Sequence, residues 1–141
     1  SITAALALSQ LNRLDSLIKM RQKNAKYLIK KLQKFKEITF HSTPEDYIHV
    51  YQLFTIMLPN AKIRNELSNF LTKKGIMSKV FFVAIHQTNF YKKLKSNYGD
   101  LSTTENICDR MLSLPMYPDL KETEMDLISM SIEEFFSSRR K

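Results

Sequence analysis

Three histidines, one cysteine and a tyrosine set between two prolines are the residues of this 141-residue chain best placed to do chemistry. His41, His49 and His86 show none of the spacings that bring metal ligands together, so a zinc site is not expected. Cys108 is the single cysteine, which excludes an internal disulfide and favours a cytosolic setting. It stands among Ile107, Met111 and Leu112 in a helix-like stretch and reads as a small buried hydrophobe rather than a nucleophile. No Gly-rich phosphate loop, no Ser-His-Asp order and no paired carboxylates with a matching base are present. What stands out is "MLSLPMYPDL", residues 111–120. A chain with four prolines and two glycines places two of those prolines three residues apart, around Met116 and Tyr117.

The charge is laid out unevenly. The formal net charge is +8, and residues 19–36 hold Lys19, Arg21, Lys23, Lys26, Lys30, Lys31, Lys34 and Lys36 without one acid. Residues 100–136 hold nine acids against Arg110 and Lys121. Such asymmetry fits a nucleic-acid face, two oppositely charged surfaces of an assembly, or a solvated helix face. No helix-turn-helix or other reading motif accompanies the cations, so nucleic acid is the weaker reading.

The elements that must position these residues follow from periodicity. Apolar residues make up 43% and charged ones 26%, as in a soluble globular domain, and no apolar run has the length of a membrane span. Leu11, Leu14, Leu17, Ile18, Leu28, Leu32 and Phe35 recur at three- and four-residue steps, which predicts one long helix over residues 2–35. Its first turns are apolar nearly all round, as if that end were buried against something else. "EITF" predicts a short strand and "YIHVYQLFTIML", residues 47–58, a longer one. Asn60 caps a helix over residues 61–74 that Gly75 stops. "IMSKVFFVAI" reads as another strand, residues 87–98 as a short helix and loop, and residues 103–112 as a helix opened by a capping box of Ser102 and Glu105. Asp119 with Glu122 makes a second box, before a last helix faced by Met125, Ile128, Ile132 and Phe135. The length implies one domain, residues 1–141. The fold class is α/β, more narrowly α+β: a small, mostly antiparallel sheet with helices packed on it.

Four stretches, taken in order, resemble the small C-terminal domain of the nucleotide-sugar aminotransferases, the DegT/DnrJ/StrS group of fold-type-I pyridoxal-phosphate enzymes. "SITAALALSQLNRLDSLIKMRQKNAKYL" is similar to the helix that links that family's large and small domains, here residues 1–35. "KKGIMSKVFFVAIHQTNFYKKL" resembles its helix end, strand and histidine loop. "LSTTENICDRMLSLPMYPDL" resembles the stretch leading into Leu-Pro-Met-Tyr-Pro, and "KETEMDLI" its closing helix. On this reading Pro115 ends a short edge strand and Pro118 fixes the exit towards the last helix, holding Met116 and Tyr117 extended between them.

The resemblance implies transamination of a nucleotide-linked keto sugar with glutamate as amino donor, in a homodimer. Pyridoxal phosphate is then held as a Schiff base by a lysine of the large domain and serves as electron sink. That lysine, the acid at the pyridine nitrogen and the phosphate cradle all belong to the large domain. A chain that opens on Ser1 inside a helix is then a fragment that binds no cofactor and is inactive alone. The site residues carried over are His86, which closes the family's histidine loop and could bond sugar hydroxyls or phosphate, and Lys79, whose cation could meet a diphosphate. Val83-Ala84 stands where the family usually has a proline, and Phe81 where many members have histidine. The alternative is a basic nucleic-acid or protein-binding module that works through residues 19–36.

Overall fold

In the computed structural model, residues 1–94 and 99–139 are described. The order is α1 (Ile2–Leu11), α2 (Leu14–Leu32), β1 (Thr39–Phe40), β2 (Phe54–Met57), α3 (Ala61–Lys73), a 3-10 turn (Ile85–Gln87), α4 (Asn89–Lys93), α5 (Ser102–Arg110), β3 (Met111–Leu114) and α6 (Glu122–Ser138). The sheet runs β1-β2-β3, antiparallel throughout, with Thr39 opposite Met57 and Phe54 opposite Leu114. The expected α+β architecture is observed.

Strand periodicity divides the sheet into two faces. Phe54 and Ile56 of β2 point into the core with Leu112 and Leu114 of β3. There they meet Ala25, Leu28 and Leu32 of α2, Leu67 and Leu71 of α3, and Met125, Ile128, Ile132, Phe135 and Phe136 of α6. The recurrence at three- and four-residue steps on each helix is what lines these stripes up. On the other face Thr55 and Ser113, opposite one another, share a hydroxyl–hydroxyl bond of 2.8 Å.

Two polar residues of α2 answer the two-proline puzzle. Pro115 and Pro118 have no N–H to give to a ladder, so residues 115–118 offer carbonyls. Arg21 donates to the Met116 carbonyl at 3.0 Å, and Asn24, buried, donates to the carbonyls of Tyr117 and Pro118 at 3.0 Å each. β3 ends at Leu114, so Pro115 stands at a strand end as expected. The segment is a brace between the sheet and α6: α2 holds its carbonyls, and the Tyr117 hydroxyl donates to Glu124 Oε1 of α6 at 3.0 Å.

Several expected elements are shorter or displaced. The helix over residues 2–35 is two helices, broken at Asn12–Arg13 and finished at Leu32. No residue of α1 is buried, so no packing holds it in line with α2. The strand over residues 47–58 shrinks to Phe54–Met57. Ahead of it α2 again supplies the partners: Gln22 donates to the His49 carbonyl and Arg21 to those of Tyr51 and Gln52. Tyr51, at φ 49°, sits in the left-handed region, and its N–H is taken by His49 Nδ1 at 2.9 Å. With these groups satisfied by side chains, the backbone has no need of a ladder.

The strand expected over residues 76–85 reduces to one bridge, Lys79 with Ser113, on the outer edge of β3. Asn60 does cap α3, its side chain accepting from Ile63 N at 2.9 Å, and Gly75 takes the positive φ (76°) that ends the helix. Neither proposed capping box forms as expected. Ser102 N–H is taken by Asp100, which frees Glu105 for another partner. The second box slides two residues along, with Glu124 accepting from Lys121 N at 2.8 Å. α5 stops at Arg110, and Met111 enters β3. Of the helix and loop expected over residues 87–98, Asn89–Lys93 is helical, and residues 95–98 lie outside the described residues.

Candidate functional site

Lys79 and His86 stand at the two ends of one connection, and different elements hold them. Lys79 is fixed by its backbone, exchanging bonds with Ser113 of β3 at 3.0 and 2.8 Å. Its side chain is solvent-facing, with Nζ 5.9 Å from the Phe81 ring centroid. A cation there is free to reorient towards an anionic group.

His86 sits in the 3-10 turn, which Gln87 N–H closes on the Ala84 carbonyl at 2.9 Å and Thr88 on that of Ile85. Its Nε2 lies 2.9 Å from Glu105 Oε1 on α5. The imidazole is the more enclosed partner, 16% exposed against 46% for the carboxylate side chain. The hydrogen bond from His86, and next one from Gln87, hold the Glu105 carboxyl below the usual carboxylate range. Asp100, at the turn before α5, is likewise lowered by the Ser102 backbone bond.

Sequence reasoning singled out His86 and gave no sign of its partner Glu105. The Ser102–Glu105 spacing matched a capping box, a local signal, whereas His86 and Glu105 are nineteen residues apart and meet only through the fold. Around the connection, Phe82, Val83 and Ile85 are exposed apolar side chains, while Ala84 is buried.

A larger concavity, about 610 Å³, opens elsewhere, lined among others by Phe40, His41, His49, Tyr51, Thr55 and Met111. His49 stacks near Tyr51, centroids 4.1 Å apart, with His41 at 6.0 Å. Burial, and secondarily the charge His41 can carry, push the His49 pKa down, which keeps its Nδ1 an acceptor for Tyr51 N–H. The lining contains no lysine for a Schiff base and no carboxylate to face a pyridine nitrogen. These residues do not fit pyridoxal phosphate. Neither Lys79 nor His86 lines this cavity. Among the described residues no group of three or more metal-ligating side chains occurs. Cys108 is half-buried and free.

The basic stripe is partly neutralised from within. Lys31 pairs with Asp126 at 2.9 Å and Lys34 with Glu133 at 2.8 Å, both acids on α6. Arg21 is spent on backbone carbonyls. Part of the charge asymmetry along the sequence therefore meets its complement where α6 faces this stripe. Among the described residues no helix is long and apolar enough to cross a membrane.

Comparison with known proteins places this geometry. A family model, the DegT/DnrJ/EryC1/StrS aminotransferase family, matches residues 1–133. GDP-perosamine synthase of Escherichia coli O157:H7 is 28% identical over 139 residues, which cover 99% of this chain and 37% of that protein. Among solved structures, Helicobacter pylori PseC, an aminotransferase of pseudoaminic acid biosynthesis, superposes with a TM-score of 0.86 at 25% identity, over 97% of this chain and 37% of its own. DesV of S. venezuelae gives 0.84 at 26%, over 94% of this chain and 35% of its own. This chain therefore spans little more than a third of the relatives it resembles. With a family match running from Ser1 into α6 and solved relatives of the same fold, the chain belongs to the DegT/DnrJ/EryC1/StrS aminotransferase family.

Proposed function

We propose that this chain is the small C-terminal domain of a pyridoxal-phosphate-dependent aminotransferase that moves an amino group from glutamate to a keto group of a nucleotide-linked sugar. The family match over residues 1–133 carries the reading. The sugar aminotransferases among its relatives support the substrate class. The cofactor is held by parts of the whole protein beyond this chain, where it serves as electron sink. The chain's share is the substrate side. His86 offers a hydrogen bond to sugar hydroxyl or phosphate, and Lys79 a mobile cation to the diphosphate.

The whole protein is a cytoplasmic homodimer in this reading. Ile2, Leu6, Leu8 and Leu11 of α1 are each more than 60% exposed. A helix that gives its own domain no buried residue and shows water four large aliphatic side chains has the character of an interface.

The direct experiment assays the whole protein with a 4-keto nucleotide sugar and glutamate, following 2-oxoglutarate. Production of 2-oxoglutarate that depends on both substrates is expected. A protein loaded with cofactor that transfers to no nucleotide-linked keto sugar overturns the reading.

A further inference from the structure

We infer that Glu105 is a positioning residue, one that fixes the imidazole of His86 and with it the turn that presents this side chain to the sugar nucleotide. The inference rests on the reading of His86 given under the proposed function, and goes beyond it by naming what holds the histidine.

Three observations converge on this role. First, the 3-10 turn Ile85–Gln87 has little packing of its own: it contains no buried residue, and Ile85 is 65% exposed. A three-residue turn of this kind is held by hydrogen bonds or not at all. Second, His86 Nε2 lies 2.9 Å from Glu105 Oε1, a bond that ties the turn to α5 across nineteen residues of sequence. Third, Glu105 itself is on a firm base. It stands in the first turn of α5, Asp100 receives the Ser102 N–H at the start of that helix, and α5 packs against α3.

The chain's own departures make such a restraint useful. Val83-Ala84 lacks a proline, whose ring would fix φ just ahead of the turn. A carboxylate on a helix supplies from outside the rigidity that the local sequence does not. The bond also anchors one end of the ring: Nε2 is held at α5 by the Glu105 carboxylate. A merely structural role for Glu105, an acid near a helix N-terminus, would affect helix stability and nothing at the substrate.

Two measurements decide the matter. In this chain, a carboxyl-carbon NMR titration should show Glu105 moving up towards the ordinary carboxylate range in His86→Ala. In the whole enzyme, Glu105→Ala should raise the KM for the sugar nucleotide about tenfold, the scale of one lost charge-assisted hydrogen bond, with kcat and the KM for glutamate nearly unchanged. Glu105→Gln keeps an oxygen acceptor and should recover most of that loss. His86→Ala with Glu105→Ala should be no worse than His86→Ala alone, because the two act as one unit. If His86→Ala raises KM and Glu105→Ala does not, the positioning inference fails while the reading of His86 stands. A Glu105 titration unmoved by His86→Ala likewise overturns it. If His86→Ala leaves KM unchanged, the substrate reading fails and the positioning role falls with it.

Discussion

Two stretches of irregular backbone in this chain are held in opposite ways. Residues 49–52 and 116–118 run beside α2, and Arg21, Gln22 and Asn24 of that one helix donate to six of their carbonyls. Residues 80–88 are held differently. Their turn is closed on itself and reaches α5 through Glu105, while Phe82, Val83 and Ile85 face outward. The first stretch is a brace and the second an outward-facing turn. The contrast teaches that irregular backbone is fixed by many donors where a packed helix runs beside it, and by a single side-chain pair where its apolar side chains face outward.

The comparison predicts unequal costs. Arg21→Ala should have the largest effect, about 2–3 kcal/mol of unfolding free energy in urea, because it strands three carbonyls of which two are partly buried. Arg21→Lys should recover only a fraction of it, since one ammonium lacks the spread of a guanidinium fork. An equally stable Arg21→Ala would show that the brace is not held from α2.

A smaller effect is expected at His49, in the same brace. Its folded pKa lies below the unfolded value, so the unfolded chain binds the proton first as pH falls. Stability should therefore decline as pH drops below about 6.5, the ordinary histidine value, until the folded group also titrates. His49→Gln should flatten that limb of the stability curve. Smallest of all, Phe82→Ser in the outward-facing turn should change stability by less than about 0.5 kcal/mol, because the side chain is already 71% exposed.

How much of this is legible in the sequence depends on how far apart the partners lie. The stripes of α2, α3 and α6 repeat at helical spacing, so the core faces can be read from Leu28, Leu67 and Ile132 alone. Asn60 and Gly75 declare the ends of α3 because capping and a positive φ are local demands. The strand expected over residues 47–58 is too long, since nothing local says that Arg21 and Gln22, some thirty residues earlier, satisfy its first half. The first helix is expected too long for the converse reason: its pattern is helical throughout, but only α2 has a core to lie on. Glu105 is hidden behind a plausible capping box. His86 emerges through family resemblance, not periodicity, and its partner requires the fold.

The measurement that bears most directly on the account is steady-state kinetics of His86→Ala in the whole enzyme, varying the sugar nucleotide at fixed glutamate. A substrate contact on this turn predicts a KM for the sugar nucleotide raised about tenfold, with cofactor absorbance and the KM for glutamate unchanged. Unchanged kinetics, or a variant that no longer holds its cofactor, would contradict it.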